Sequence, residues 1–250
     1  MDELVARLRA AGCVFAEDEA AILRTAAADG GHLESLVRDR VSGTPLEYVV
    51  GWADFAGIRV PVEPGVFVPR PRSELLVDVV AGVVEAEDLL LDLCCGTGAI
   101  AAAVAARVDV RVVAADSHPL AIANARRTLA PVGGLVVESN LFDAVPATLK
   151  GEFAVIAVVA PYVPSAAIEL LPREARDYEP RSALDGGVDG LEVVRRIVGS
   201  ARDWLRPGGM LATEVGDDQW ETVVVLAHDA GLVAEVIDDD GAIVVTARSA

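Results

Sequence analysis

One stretch constrains this chain more than any other: Leu90-Leu91-Asp92-Leu93-Cys94-Cys95-Gly96-Thr97-Gly98-Ala99-Ile100-Ala101. An apolar run ending near an acid, two glycines two apart and an Ala-rich run predict a buried strand, a tight turn and a helix start. Gly96 and Gly98 let backbone approach a ligand closely, and a helix beginning near Ala99 directs its free N–H groups at that ligand. Asp116 lies about 20 residues further on, at the end of the next apolar run, where an acid accepts hydrogen bonds from ribose hydroxyls. The plain alternative is a tight turn with no ligand.

The rest of the chain fits a sheet around that turn. A helix over Ser73–Val84 precedes strand Leu89–Cys94, helix Ala99–Arg107, strand Val110–Ala115 and helix Pro119–Leu129. Strands Leu135–Glu138 and Phe153–Val159, helix Leu191–Leu205, strand Met210–Val215 and helix Gln219–Ala230 follow. The alternation predicts an α/β fold, a mostly parallel, doubly wound sheet with helices on both faces. Strands Val233–Ile237 and Ala242–Ala247, separated by Asp238-Asp239-Asp240-Gly241, predict an antiparallel pair at one edge. Upstream, residues 1–42 read as short Ala-rich helices: one ending at Gly12, then Ala16–Ala28 and His32–Val41. Residues 43–72 are a Pro- and Gly-punctuated linker in which Asp54–Val60 and Val66–Val68 are expected to pair as a hairpin.

The Gly loop alone does not separate a nicotinamide dinucleotide from S-adenosylmethionine. Asp92 does. A carboxylate at the end of the strand repels a pyrophosphate but suits the cationic amino group of a methionine moiety. The antiparallel edge pair also favours a methyltransferase sheet over a dehydrogenase.

Composition excludes other classes. The chain has 250 residues, 53% of them hydrophobic, too apolar for disorder. Its longest charge-free stretch, Phe153 to Ile168, is interrupted by Pro161 and Pro164 and falls short of the roughly 18–20 apolar residues of a membrane span. The acidic start Met-Asp-Glu-Leu does not read as a signal peptide. A net charge of −18 with no basic run longer than a pair argues against direct nucleic-acid binding. Cys13, Cys94 and Cys95 offer no CxxC spacing and the three histidines are isolated, so the expectation is a reduced, cytoplasmic protein without a metal site.

Three further tracts carry a resemblance. Gly43-Thr44-Pro45-Leu46-Glu47-Tyr48-Val49-Val50-Gly51, Phe67-Val68-Pro69-Arg70-Pro71-Arg72-Ser73-Glu74 and the run from Arg173 to Gly190 occur in order. With the Gly loop, the chain resembles the protein-(glutamine-N5) methyltransferases that modify peptide-chain release factors, the HemK/PrmC type. That resemblance implies a helical N-terminal domain (residues 1–42, shorter than usual), a linker with a short β-hairpin (43–72) and a class I S-adenosylmethionine-dependent methyltransferase domain with a Rossmann-like seven-stranded sheet (73–250). It implies a release factor's Gly-Gly-Gln loop as substrate. It places the cofactor among Asp92, Cys94, Cys95, Gly96, Thr97, Gly98, Asp116, Ser117, Asn140 and Leu141.

The family's reactive loop, Asn-Pro-Pro-Tyr after the fourth strand, reads Val159-Ala160-Pro161-Tyr162 here. In the family, the Asn side-chain oxygen and the next backbone carbonyl accept hydrogen bonds from the substrate amide, hold it in line with the methyl group and stabilise charge building on nitrogen. Val159 keeps strand propensity and shape but has no acceptor; the Ala160 carbonyl remains. Ser139-Asn140-Leu141-Phe142 replaces a segment usually carrying Asp and an aromatic, leaving Asn140 to meet an adenine amino group and Leu141 to give apolar contact.

Other residues carry paired or purely structural expectations. Tyr162 is a stacking platform for the acceptor amide or a core aromatic. Glu214 faces the pocket mouth or solvent, and His118 flanks the adenine or is exposed. Trp204 and Trp220 are packing residues, and Asp177, Glu179 and Asp185 order loops. Two alternatives stand beside the main reading: a methyltransferase for another nitrogen or a small molecule, and a cofactor-binding relative whose transfer is lost through Val159.

Overall fold

A computed structural model describes residues 2–249. Three helices open the chain: α1 (Glu3–Ala10), α2 (Ala16–Ala26) and α3 (Gly30–Val41). Asp2 and Asp29 accept hydrogen bonds from the first-turn N–H groups of α1 and α3. Leu4, Val5, Leu8, Ala16, Ala20, Leu23, Leu36 and Val37 bury a small core of their own. Arg40, 7% exposed, ties this unit to the remainder. Its guanidinium donates to both carboxylate oxygens of Glu19 and to Glu174 Oε1 (2.6 Å), 134 residues away. Removing one member of a buried charge cluster leaves the others uncompensated. Arg40→Ala is therefore expected to cost about 3 kcal/mol in urea unfolding, whereas Arg9→Ala, in an exposed pair with Glu17, is expected to cost under about 1 kcal/mol.

The linker differs from expectation. A short helix α4 (Leu46–Val50) leads into a hairpin of β1 (Trp52–Phe55) and β2 (Ile58–Pro61). The expected partners Asp54–Val60 and Val66–Val68 do not pair. The first is itself the hairpin, because Ala56 (φ +48°) and Gly57 (φ +84°) form a two-residue turn of the kind that matches strand twist. Val68 instead packs with Tyr48, Ala53 and Val62, and the Tyr48 hydroxyl donates to the Val66 carbonyl (2.7 Å).

After a 3₁₀ turn (Pro71–Ser73) and α5 (Glu74–Ala81), the chain runs β3 (Leu89–Leu93), α6 (Ala99–Ala105), β4 (Arg111–Asp116), α7 (Pro119–Leu129), β5 (Leu135–Glu138) and β6 (Phe153–Val158). A short α8 (Arg173–Tyr178), absent from the sequence expectation, precedes α9 (Glu192–Trp204), β7 (Leu205–Val215), α10 (Trp220–Asp229), β8 (Leu232–Asp239) and β9 (Ala242–Ser249). The seven strands are ordered β5-β4-β3-β6-β7-β9-β8. Strands β3 to β7 are parallel; β9 is antiparallel to both its neighbours. Helices α5, α6 and α7 cover one face through Leu76, Val80, Val104 and Leu129, and α9 and α10 cover the other through Val194, Ile197, Trp204 and Val223. Trp204 stacks on Phe142 with ring centroids 5.3 Å apart, the packing role expected of it. The chain winds one way from β3 to β5 and the other way from β6 onward. That reversal opens a crevice at the carboxyl ends of β3 and β6.

Candidate active site

A cavity of about 770 Å³ fills the crevice. Its floor is the Gly loop. Gly96 and Gly98 take left-handed conformations (φ +53° and +78°), and a Cβ on Gly96 would meet no neighbouring side chain or backbone within 4 Å, so that face of the loop is open to a ligand. Gly98, expected to approach the ligand, does not line the cavity; a Cβ there would press on Leu129 at 3.2 Å, so this glycine serves packing against α7. Asp116, the last residue of β4, accepts from the Gly96 N–H (2.9 Å) through one carboxylate oxygen and from the His118 N–H (2.8 Å) through the other. A carboxylate offers about four acceptor sites, so Asp116 fixes the loop and retains lone pairs for ligand hydroxyls. His118, expected to flank the adenine or stand exposed, lines the cavity, and its buried Nδ1 has no partner.

Asp92 is the penultimate residue of β3, 2% exposed, and accepts from the Ala101 N–H of α6 (3.1 Å). Burial, reinforced by the charge of Asp116, pushes its carboxyl up to about 8. Among the described residues no basic side chain pairs with Asp92, and a buried acid of this kind, beside a cavity it lines, is what a cationic ligand group would relieve. Cys94 (φ +58°), Cys95 and Thr97 complete the floor; the Cys95 N–H donates to the Ala115 carbonyl (3.1 Å) and Thr97 is buried. All three cysteines are free, and burial pushes the Cys94 and Cys95 thiols up, away from reactive thiolate.

Ser117, Asn140 and Leu141 border the far end of the cavity. The Asn140 amide turns along the surface: its oxygen accepts from Arg196 Nη2 (3.1 Å) and its nitrogen donates to Asp143 (3.1 Å). The oxygen expected to meet an adenine amino group thus already serves Arg196 with one lone pair. Leu141 takes φ +55°, held by its carbonyl accepting from the Ser139 hydroxyl (2.6 Å).

Beside the Gly loop, at the end of the neighbouring strand, Val159-Ala160-Pro161-Tyr162 continues from β6 and lines the same cavity. Val159 packs partly against the α5–α6 core and Ala160 is buried. The loop is clamped from outside. The Val163 N–H donates to the Leu184 carbonyl, and the Gly186 N–H donates to the Val163 carbonyl. Gly186 and Gly190 lie so close that a Cβ on either would fall 2.6 Å from the Pro161 oxygen or 2.2 Å from the Tyr162 oxygen. Asp185 orders this region by accepting from Ser165 Oγ (2.5 Å) and the Gly187 N–H (3.1 Å). Glu179 does the same for the linker, accepting from the Val68 N–H (3.2 Å) and Arg70 (2.6 Å).

Residues given no site role by sequence reasoning complete the wall. Arg72 and Ser73 line the cavity and meet Glu214, which is 1% exposed rather than facing solvent. The signal was present in the Phe67–Glu74 tract, where Arg70, Arg72 and Ser73 interleave with prolines, but the partner of Ser73 lies 141 residues away.

A doubly wound sheet with an antiparallel β9, a Gly loop after β3 and an acid closing β4 together define a class I methyltransferase. Residues 90–178 match the family described as a methyltransferase domain. Among solved structures, the 16S rRNA N2 G1207 methyltransferase of T. thermophilus, in complex with AdoMet and guanosine, superposes with a TM-score of 0.60 at 19% identity, covering 80% of this chain and 50% of that one. The E. cuniculi Mtq2–Trm112 complex superposes at 0.54 and 21% identity, covering 74% and 99%. These likenesses concern the fold. In sequence, the chain is 38% identical to the release factor glutamine methyltransferase of Geobacter sulfurreducens over 78% of its own length and 69% of that protein's, and 39% identical to that of Mycolicibacterium smegmatis over 78% and 70%. The chain belongs to the release factor glutamine methyltransferase family. Its cofactor is S-adenosylmethionine, and the open Gly96 face, the spare acceptor sites of Asp116 and the unpaired Asp92 fit that group. Among the described residues no helix is long and apolar enough to cross a membrane.

Proposed function

We propose that the chain methylates the side-chain amide nitrogen of the glutamine in a release factor's Gly-Gly-Gln loop. The observation that carries the reading is the one cavity lined by Gly96, Thr97 and Asp116 together with Val159–Tyr162, in a chain 38% identical to an enzyme of that name. In this reading Asp116 accepts from the ribose hydroxyls and Asp92 meets the methionine ammonium. Backbone from Cys94 to Thr97 lies along the ligand, and Ser117, Asn140 and Leu141 surround the adenine. Bound there, S-adenosylmethionine supplies an electrophilic methyl group on a sulfonium. An amide nitrogen is a poor nucleophile, so the protein's contribution is alignment. The Ala160 carbonyl accepts one substrate N–H, Tyr162 walls the acceptor, and Val159 shapes the site without accepting. Proton loss follows transfer, so no general base is needed beforehand. The acidic balance of the chain supports a protein rather than a nucleic acid as partner, and the reading places the work in the cytoplasm, where peptide release occurs. Transfer of labelled methyl to an intact release factor, with a Gly-Gly-Ala release factor as control, tests the assignment; label in both proteins would reject it.

Val159 favours a second reading, cofactor binding without transfer, and the Asn variant of this position separates the two. The cofactor assignment has its own check. Asp116→Ala removes charge-assisted hydrogen bonds worth about 1.5–3 kcal/mol each and frees the Gly96 N–H. Calorimetric affinity for S-adenosylhomocysteine is expected to fall at least tenfold; unchanged affinity would remove Asp116 from the site.

A further inference from the structure

The carboxylate of Glu214 is buried at the end of β7, beside the loop that leaves β6. Its Oε2 accepts from Ser73 Oγ (2.5 Å) and its Oε1 from the Tyr162 hydroxyl (3.2 Å). Arg72 balances the charge. Its Nε lies 3.1 Å from Glu214 Oε1, an ion pair without hydrogen-bond alignment, while its Nη2 donates to the Val215 carbonyl and its guanidinium stands 5.6 Å from the Tyr162 ring centre. The other end of Tyr162 is also fixed. Gln219 donates through Nε2 to the Tyr162 carbonyl (2.8 Å) and the Asp189 carbonyl, and accepts from the Gly216 N–H (2.9 Å). Tyr162 is thus held at its hydroxyl and at its backbone by two residues five apart, Glu214 near the end of β7 and Gln219 just after it. A buried ion this well satisfied, adjoining a cavity rather than a core, serves orientation better than stability.

We infer that Glu214 is a positioning residue, holding the Tyr162 ring as the acceptor-side wall of the cavity through its hydroxyl. The inference rests on the reading of Tyr162 as that wall. With no side-chain acceptor at Val159, ring placement carries a larger share of the alignment here. Gln at 214 keeps an oxygen to accept from Tyr162; Ala does not.

The experiment compares Glu214→Ala, Glu214→Gln, Tyr162→Phe and the Ala/Phe double variant, in the wild-type and Val159→Asn backgrounds. Methyl transfer to an intact release factor and S-adenosylhomocysteine affinity are measured for each. Glu214→Ala is expected to lower kcat/KM for the release factor about tenfold, the scale of one lost hydrogen bond, with cofactor affinity within about twofold. Glu214→Gln is expected to restore most of the loss, and the double variant to lose no more than the worse single one. Additive losses, or equal loss of cofactor affinity, would overturn the inference. A readout independent of the acceptor keeps the test alive if no background transfers methyl. The chain has three tyrosines, so its 3-fluorotyrosine NMR spectrum is assignable with Tyr162→Phe. The Tyr162 resonance is expected to shift and broaden in Glu214→Ala and to return in Glu214→Gln. An unmoved resonance would refute the positioning role, whereas absent transfer with a moved resonance would count against the release-factor reading alone.

Discussion

Val159→Asn is expected to raise methyl transfer to a Gly-Gly-Gln release factor by roughly 10²–10³, by analogy with restoring one oxyanion-hole contact. Val159 stands at the end of β6, beside the Gly loop, and is not among the residues assigned to the cofactor. The new amide oxygen therefore acts on the acceptor nitrogen as it gains positive charge and has little to do in the cofactor complex. An interaction made mainly in the transition state raises kcat without tightening ground-state binding. Affinity for S-adenosylhomocysteine is accordingly expected to stay within about twofold of the parent. Val159 also packs against the α5–α6 core. Exchanging its methyl groups for a polar amide is expected to cost roughly 1–3 kcal/mol of stability unless water reaches the new group. Single-turnover assays with labelled cofactor, run beside the parent, read the rate; denaturant unfolding reads the cost. A parent chain that turns over a release factor at about 1 s⁻¹ or faster, an ordinary enzymatic rate, would show that this position does not limit the reaction. The Ala160 carbonyl would then carry the alignment.

Cofactor binding is expected to release a proton from Asp92. In the free protein, burial holds this carboxyl at about 8, so it is largely protonated at neutral pH. A methionine ammonium placed beside it favours the carboxylate and lowers its pKa. Binding near pH 6.5 therefore expels close to one proton, and affinity rises by up to about tenfold per pH unit until the free-state value is reached. Calorimetry in buffers of different ionisation enthalpy counts the proton directly, and Asp92→Asn is expected to abolish the count while weakening binding. No proton release in the parent would separate Asp92 from the ligand's cation. The same group makes a stability prediction of defined sign. A folded-state carboxyl raised from 3.8 to about 8 binds more protons folded than unfolded between those values. Its contribution to stability is therefore present below that window and is lost as pH rises through it. The free protein is expected to lose stability over this range, and Asp92→Asn to flatten the slope.

Local spacing made the Gly-loop side of the cavity legible. Asp92, the two glycines and Asp116 lie within 25 residues, and a strand, turn and helix start in that order leave little geometric freedom. The Asp116–Gly96 hydrogen bond joins two neighbouring strand ends and follows from the fold class. The hairpin was misplaced because Ala56 adopts φ +48°, a conformation usual for Gly or Asn. Nothing in the run Asp54–Val60 announces a turn before Gly57. Helices α4 and α8 were missed because five- and six-residue helices owe their form to neighbours rather than to propensity.

The sequence by itself determined the order of the longer strands and helices, the glycine turn after β3, the antiparallel β8–β9 pair and a valine, with no side-chain acceptor, at position 159. Each depends on residues close in the chain, where periodicity and turn chemistry act directly. Tertiary structure alone decided what surrounds them. It buried Glu214 against Ser73 and Arg72, set Tyr162 beneath Glu214 and Gln219, and joined Arg40 to Glu174. It turned the Asn140 amide toward Arg196. These contacts link segments dozens to more than a hundred residues apart. A polar residue's pattern does not reveal its partner, because the energy of burying a charge is settled only when the whole cavity has closed around it.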